Sequence, residues 1–376
     1  MRIVNGSVFD GEGFVERDVY AADGRFVEEA ARVEGGEAID AAGCYVIPGL
    51  VDLHFHGSAG ADISDGDLDG LHKMGAYEAS RGVTAMCPAT MTLPEDVLTR
   101  AAQAAAAYEP AANEAALVGI NMEGPFISPS KVGAQNPDYV RNPSAEEFRR
   151  LQKAAGGLFK LVDIAPEEPG AEEFIREMAS EVRISLAHTC TDYDTAARAF
   201  ELGARQLTHL YNAMDPMHHR KPGPIPAAVE HGEVTAEIIA DGVHIHPAMV
   251  RLAFQLFGDD RMILISDTLR AAGLKDGTYD LGGQDVTVRG PVATIDNGAL
   301  AGSVSDLMRC LTVAVRDMGI PLASAVKAAS ANPARALGLD AERGSLEPGK
   351  VADAVLLDKE TLDVRAVVLR GKVLQE

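Results

Sequence analysis

The chain has few cysteines, a shortage of basic residues and no long apolar run, and each absence argues against a class of protein. Its four cysteines are scattered and form no CxxC pair. This usage argues against a disulfide framework or a cysteine zinc cage and suits a reducing cytoplasm. No apolar run approaches the length of a membrane span, and the N-terminus lacks the basic start and apolar core of a secretory signal. The sequence therefore predicts a cytoplasmic protein.

Basic residues are outnumbered by acidic ones, 34 Lys and Arg against 56 Asp and Glu, which gives a net charge of −22. Such a surface repels nucleic acid and anionic membranes, which argues against both as partners. An anionic small substrate would need a local basic cluster. Hydrophobic residues make up 47% of the 376 residues, the balance of a globular chain with room for one large domain and a small one.

Both ends of the chain contain short β-branched runs separated by Gly and Asp turns, a pattern that indicates strands. We expect one small β-sandwich domain built from residues 1–46 and 344–376. The runs are MRIVNGSVF, GRFVEEAARV and AGCYVI near the N-terminus, and GSLEPGKVADAVLLD and VRAVVLRGKVL near the C-terminus.

Between the ends, eight short apolar runs recur, and most are followed by a stretch with helical character. Near-continuous apolar runs are typical of strands buried on both faces. The repeats predict an α/β fold, a (β/α)8 TIM-like barrel over residues 47–343. Near its end, LGGQDVTVRG indicates a short β insert. The eight runs are YVIPGLVDL, GVTAMC, ALVGINM, FKLVDI, VRISLA, ARQLT, VTAEIIA and RMILIS.

Polar residues stand where most of these strands end, which is where barrels of this kind place their chemistry. One such residue alone is most often structural, a hydrogen-bonded or capping side chain. Six on one rim form a ligand set suited to divalent metals, and left unpaired they would be costly to bury. We therefore predict a metal centre. The residues are His54, His56, Glu123, His188, His209 and Asp267, with Asp241 and His244 after the seventh strand.

Longer segments, among them PGLVDLHFHG, MEGPF, HLYNAM and ADGVH, resemble the amidohydrolase superfamily. Many superfamily members bridge two metals with a carbamylated Lys at the end of the fourth strand, but Lys160 lies near the start of that strand. Instead Glu123 ends the third strand, as in the N-acetylglucosamine-6-phosphate deacetylases. The resemblance implies a metal-dependent hydrolase of amino-sugar catabolism that converts N-acetyl-D-glucosamine 6-phosphate to D-glucosamine 6-phosphate and acetate.

The same resemblance implies roles at the metal centre. The cofactor is a divalent metal, Zn²⁺ or Fe²⁺, with one or two ions per subunit, and the residue types do not decide between them. The alternative for the first two histidines is a hydrogen-bonded pair without metal. The implied roles are Glu123, His188 and His209 for the principal metal, His54 and His56 for a second, and Asp267 as general base and acid.

A substrate pocket is also implied. MHHRKPGPIP gathers basic residues and resembles the family's phosphate loop, although alone it would be an ordinary solvated loop. Its Arg220 suits forked bonding to phosphate, and in the family this residue often reaches the neighbouring subunit, which implies a homodimer. Gln135 stands where relatives often carry His, so it can donate a hydrogen bond but cannot carry charge. The other matching positions are Ala134, Asn212, Ala213, Asp241, Gly242, Val243, His244, Leu300, Ala301 and Gly302.

Other functions remain open at this point. An N-acetylgalactosamine-6-phosphate deacetylase would differ only in its preference at carbon 4. A D-aminoacylase or a dihydroorotase-like enzyme would act on another N-acyl substrate or a cyclic amide, which Glu123 and the phosphate loop disfavour. A catalytically dead relative would serve in binding or assembly. Every residue that the chemistry needs is present, which disfavours that alternative.

Overall fold

The computed structural model describes residues 1–28, 33 and 36–374. None of the helices in these ranges has the length and apolar character needed to cross a bilayer. The α-helices are Leu68–Ser80 (α1), Glu95–Ala106 (α2), Ala145–Ala154 (α3), Ala171–Met178 (α4), Tyr193–Leu202 (α5), Pro224–Glu230 (α6), Pro247–Phe257 (α7), Leu307–Arg316 (α8), Leu322–Ala329 (α9) and Ala331–Ala336 (α10).

The strands are short and fall into six sheets among the described residues. In chain order they are Arg2–Val4 (β1), Ser7–Phe9 (β2), Phe14–Glu16 (β3), Val19–Ala22 (β4), Arg25–Val27 (β5), Ala38–Asp40 (β6), Cys44–Pro48 (β7), Leu50–Asp52 (β8), Gly57–Ser58 (β9), Ala61–Asp62 (β10), Val83–Met86 (β11), Ala89–Thr90 (β12), Ala116–Leu117 (β13), Ile120–Met122 (β14), Phe159–Ile164 (β15), Arg183–Leu186 (β16), Gln206–Leu207 (β17), Thr235–Ile239 (β18), Met262–Ile265 (β19), Gly277–Leu281 (β20), Gln284–Arg289 (β21), Val292–Ile295 (β22), Ala354–Asp358 (β23), Val364–Leu369 (β24) and Lys372–Val373 (β25).

The barrel wall consists of parallel strands. β8, β11 and β13 form one sheet, and β12, β14, β15, β16, β17, β18 and β19 follow one another in a second. The second and third predicted strands are each interrupted, so their two halves lie in different sheets. Beyond β8 and β19 the ring closes, because the Asp267 N–H donates to the His54 carbonyl at 2.9 Å. The predicted TIM-like barrel is confirmed.

Helices cover the outside of the barrel because each carries one apolar face. In α2, Leu98, Ala101, Ala102 and Ala105 are buried at spacings of three and four residues. Side-chain caps fix the starts of five of the ten described α-helices, as where Ser144 accepts the Glu147 N–H at the start of α3. This packing leaves the carboxyl ends of the strands free to carry polar side chains.

Both termini contribute to two further sheets, ordered β5-β4-β1-β6 and β25-β24-β23-β7-β2-β3. β7 from the N-terminal part pairs antiparallel with β23 from the C-terminal part. The two sheets share an apolar core that includes Ile3 and Phe26 from the first and Val46 and Leu356 from the second. The β-sandwich arrangement and the domain boundaries at 46/47 and 343/344 stay predictions.

The first apolar run, residues 45–53, is divided rather than continuous. β7 belongs to the terminal sheet, and β8, one residue later, begins the barrel. A Cβ on the intervening Gly49 would lie 2.2 Å from Thr84 Oγ1, so no larger residue fits without displacing that side chain. The strand that precedes His54 and His56 therefore continues directly from the terminal sheet.

The predicted β insert is present as β20, β21 and β22, which pair antiparallel. Gln284 in this insert donates from Nε2 to the carbonyl of Ala134 at 2.5 Å. The insert is therefore tied to the loop after the third barrel strand.

Candidate active site

Glu123 lies between two pairs of histidines at the carboxyl rim of the barrel. Its Oε1 is 2.9 Å from His188 Nε2 and 3.0 Å from His209 Nε2. Its Oε2 is 3.1 Å from His56 Nε2 and 3.5 Å from His54 Nε2. One carboxylate thus presents a separate oxygen to each pair.

Asp267 completes the group on the side of His54 and His56. Its Oδ1 lies 3.3 Å from His56 Nε2 and 3.9 Å from His54 Nε2. Asp267, His188 and His209 have φ values of 50°, 44° and 28°, in the left-handed region that residues other than glycine rarely adopt. Strain of this kind persists where surrounding structure enforces it, and it is concentrated at functional sites.

Outer hydrogen bonds orient three of the imidazoles. Nδ1 of His56 is 3.0 Å from the Ala89 carbonyl, and Nδ1 of His188 is 2.8 Å from the Lys131 carbonyl. Nδ1 of His54 is 2.9 Å from an oxygen of Glu237. Because an oxygen acceptor requires the proton on Nδ1, each Nε2 of a neutral imidazole presents its lone pair to the centre of the site.

The carboxylates of the site favour positive charge on the groups beside them. Burial opposes protonation of His54, but Glu237 and Glu123 outweigh it and hold the pKa of that imidazole well above its ordinary value. Burial likewise opposes protonation of His56, yet Asp267 and Glu123 raise its pKa to about 10. Burial raises the pKa of Glu123, but the surrounding histidines hold it well below its usual range. Protons on the imidazoles supply positive charge beside the carboxylates, and a divalent cation would supply it equally.

The donor set fits such a cation. Among the described residues, the buried atoms without a hydrogen-bond partner include His54 Nε2, Glu123 Oε2 and Asp267 Oδ1, all at this rim. Three groups have one ligand atom per residue within 4.8 Å of the others: Glu123 with His188 and His209, His54 and His56 with Asp267, and His54 with Glu123 and Asp163. Nitrogen and carboxylate donors in these numbers suit Zn²⁺ or Fe²⁺.

A cavity of about 300 Å³ opens above this group. Most of the predicted substrate positions lie on its wall, together with the metal-ligand candidates. The predicted residues that line the cavity are His56, Glu123, Ala134, Gln135, His188, His209, Asn212, Ala213, His244, Asp267, Leu300 and Gly302.

Other predicted positions lie behind this lining. Asp241 accepts from His244 Nδ1 at 2.8 Å, and its other oxygen accepts the backbone N–H groups of Val243 and His244. Burial opposes protonation of His244, but Asp241 raises the pKa of that imidazole above its ordinary value. Asp241, Gly242 and Val243 therefore support His244 without lining the cavity, and Ala301 is fully buried beside it.

Arg220 lies away from the cavity of its own chain. Its side chain is exposed, and a guanidinium nitrogen is 2.6 Å from Nε2 of the neighbouring His219. It is not among the residues that line the cavity. The structure therefore does not bring the predicted phosphate-binding residue together with the metal-ligand candidates within one subunit.

Gln135 is held in one orientation. Its Oε1 accepts the Thr92 N–H at 2.7 Å, which leaves the Nε2 hydrogens for the cavity. Gly302 is also constrained. Its φ is 65°, and a Cβ added to it would lie only 2.9 Å from the carbonyl oxygen of Asp267. A side chain at this position would press on the backbone of the candidate base.

Sequence reasoning missed several cavity residues and the groups beneath them. Met91, Gly133, Leu281 and Ala299 line the cavity. Leu281 ends the first strand of the β insert and Ala299 follows its last strand, so the expected position of the insert near the site was the available signal. Buried below the rim is a further carboxylate, Glu237, for which the sequence alone offers no signal beyond its place on the seventh strand.

The model of the Amidohydrolase family matches residues 45–374 of this chain. N-acetylglucosamine-6-phosphate deacetylase from Bacillus subtilis (strain 168) is 39% identical over 333 residues, which cover 87% of this chain and 84% of the relative. N-acetylgalactosamine-6-phosphate deacetylase from Escherichia coli O157:H7 is 36% identical over 331 residues, 87% of this chain and 86% of the relative.

Among solved structures, the chain is similar to a mutant of N-acetyl-D-glucosamine-6-phosphate deacetylase from Mycobacterium smegmatis in complex with N-acetyl-D-glucosamine-6-phosphate. The TM-score is 0.92 at 33% sequence identity, over 100% of this chain and 99% of the other. The likeness spans the terminal sheets as well as the barrel.

Proposed function

Because the chain belongs to the amidohydrolase family and, within it, to the N-acetylglucosamine-6-phosphate deacetylases, we propose how its residues carry out that reaction. The substrate is N-acetyl-D-glucosamine 6-phosphate, and the products are D-glucosamine 6-phosphate and acetate. The observation that carries the proposal is Glu123, held between His188 and His209 at 2.9 and 3.0 Å, on the floor of a cavity that also exposes Asp267.

Glu123, His188 and His209 would hold the principal metal, and His54 and His56 a second. A divalent cation there supplies Lewis-acid polarisation of the acetyl carbonyl and eases deprotonation of the attacking water. Either Zn²⁺ or Fe²⁺ matches these donors.

Asp267 is the proton carrier. Burial opposes its ionisation, but His56 and His54 hold the pKa of the carboxyl below its ordinary value, so it is ready to accept a proton from water. The same carboxyl then returns that proton to the departing sugar amine, which leaves poorly unless protonated. Its backbone is fixed on both sides, by the His54 carbonyl at 2.9 Å and the Ser303 N–H at 2.7 Å.

Neutral and charged donors on the cavity wall orient the sugar. Gln135 offers its amide hydrogens, and His244, held by Asp241, offers Nε2 to a sugar hydroxyl. Leu300 and Gly302 lie where the acetyl group would be enclosed, while Asn212, Ala213 and Ala134 shape the opposite wall. We place the enzyme in the cytoplasm, where the reduced state of its cysteines is maintained.

The phosphate-binding arm comes from a second subunit in this proposal. Arg220 is exposed and does not line its own cavity, which supports a role across a homodimer interface. A forked guanidinium is suited to phosphate oxygens.

Acetate release is the direct test of the proposed activity. Purified protein loaded with Zn²⁺ or Fe²⁺ should deacetylate N-acetyl-D-glucosamine 6-phosphate and lose activity on chelation. Free N-acetylglucosamine should be a much poorer substrate. Absence of turnover with either metal would refute the proposal and favour a binding protein.

The galacto epimer is a second candidate substrate, because the Escherichia coli O157:H7 relative that acts on N-acetylgalactosamine 6-phosphate is also 36% identical to this chain. Comparing kcat/KM for the two phosphorylated sugars decides between them. A higher value for the galacto substrate would replace the gluco assignment.

A further inference from the structure

A line of hydrogen bonds runs inside the barrel, below the rim that carries the metal-ligand candidates. Barrel interiors are ordinarily filled by layers of branched apolar side chains. Here Asp163, Gln206, Thr208 and Glu237 occupy the interior, each with no exposed surface. Polar groups are costly to bury unless they are hydrogen-bonded, so their arrangement calls for an explanation.

The line leads from the half-buried guanidinium of Arg183 to His54, the first of the metal-ligand candidates. Arg183 donates from Nε to Gln206 Oε1 at 2.8 Å, and Gln206 donates from Nε2 to Glu237 Oε1 at 2.5 Å. The other oxygen of Glu237 lies 2.9 Å from His54 Nδ1. Arg183, Gln206 and Glu237 lie on the fifth, sixth and seventh barrel strands. The line ends at His54, which follows the first barrel strand.

Glu237 contacts one residue from each histidine pair. The oxygen that faces His54 Nδ1 also accepts the backbone N–H of His209 at 3.2 Å. Three N–H groups therefore converge on this one side chain, including that of Gln206. Only a carboxylate can accept from all three. The side-chain amide of a glutamine would have to direct its own N–H hydrogens toward at least one of these donors.

The consequence for His54 is a fixed tautomer. With its proton on Nδ1 and directed at Glu237, its Nε2 points toward Glu123 Oε2, 3.5 Å away. Without this acceptor, nothing on the described chain holds His54 with equal strength, since the other polar neighbour of Nδ1, the Asn121 amide nitrogen, lies 3.4 Å away and is itself a donor.

We propose that Glu237 is a positioning residue that makes His54 a metal ligand and so decides whether the subunit binds a second cation. This inference rests on the proposed metal-dependent deacetylation and adds the residue that sets the number of ions. Partners that hold the outer nitrogen of a ligating histidine typically change metal affinity by about 10–100-fold.

The test measures metal content of the full-length protein rather than activity alone. Stripped protein is titrated with Zn²⁺, and bound zinc is counted by elemental analysis after dialysis. We expect about two equivalents for the wild type, and for Glu237→Gln a second site weakened by about 10–100-fold with the first retained. In a His54→Ala background, Glu237→Gln should change zinc binding no further.

Glu78→Gln is the matched control, because Glu78 is an equally buried carboxyl on α1; it should leave both zinc equivalents in place. Glu237→Asp provides a second variant if Glu237→Gln does not fold, since it keeps the charge but shortens the reach to His54. Retention of two tightly bound zinc ions in both folded variants would overturn the inference. A wild type that binds one zinc and still releases acetate would overturn it too, while leaving the proposed deacetylation intact.

Discussion

The metal end of the cavity and the loop proposed to bind phosphate, here called the phosphate end, are built differently. At the metal end, the ligand candidates follow barrel strands, are almost fully buried, and three of the four imidazoles are held by a second hydrogen bond on the outer nitrogen. At the phosphate end, Arg220 lies on an exposed loop whose polar contacts are within the loop itself. The metal-ligand candidates are therefore held firmly by their own chain, whereas Arg220 is left exposed, as the proposed role in a neighbouring subunit requires.

Removing Asp267, the proposed proton carrier at the metal end, should produce the largest effect. Asp267→Asn keeps the shape of the side chain but cannot take a proton from water, so kcat should fall by about 10²–10⁴-fold. KM and zinc content should change little, because Glu123 and the other histidines remain. Steady-state acetate release together with elemental analysis measures both. A rate within a few-fold of the wild type would exclude Asp267 as the base.

Removing the positive charge of Arg220 at the phosphate end should affect substrate binding rather than the chemical step. Hydrogen bonds to charged groups contribute about 1.5–3 kcal/mol, so Arg220→Ala should raise KM for the phosphorylated sugar by about 10–100-fold. kcat should stay near the wild-type value. Arg289→Ala, which removes another exposed guanidinium, should leave KM unchanged. If wild-type enzyme processes the unphosphorylated sugar equally well, the phosphate role of this loop is wrong.

A smaller effect concerns Glu78, a buried carboxyl whose pKa is raised, in contrast to Glu123, whose pKa the surrounding histidines lower. Burial and the neighbouring Asp52 raise the pKa of Glu78 well above its usual 4.5. The folded state then holds this proton more tightly than the unfolded state, so the free energy of unfolding falls as pH rises from 4.5 to the raised pKa. The slope is about 1.4 kcal/mol per pH unit for one group.

Glu78→Gln cannot ionise and should therefore raise the melting temperature at pH 8, with the gain shrinking toward pH 4.5. The exposed Glu146→Gln serves as the control and should show no such pH-dependent difference. Thermal unfolding followed by circular dichroism at several pH values measures the effect. An equal shift at every pH would mean that packing, not ionisation, distinguishes the variant.

The barrel and its metal end were predictable because both follow from local pattern. Near-continuous apolar runs predict buried parallel strands, and strand ends in a barrel meet on one rim. The sequence therefore predicts that His54, Glu123 and Asp267 lie together. In the structure each of them lies within 4 Å of another of the three or of His56.

What could not be predicted depends on contacts between distant parts of the chain. The acceptor for His54 is Glu237, 183 residues away, and a polar residue on an apolar strand does not reveal which side chain it will meet. The division of the first run at Gly49 depends on the close approach of Thr84. The position of Arg220 outside its own cavity follows from the loop conformation, which its basic composition does not determine.

The junction at Gly49 ties the assembly of the catalytic rim to that of the terminal sheets. Only one residue separates β7, paired with the C-terminal β23, from the strand that leads to His54 and His56. β7 lies between β2 and β23 in its sheet, so its pairing is complete only when both terminal regions are present. Removing β23 to obtain a minimal barrel would therefore loosen the anchor of the first two histidines.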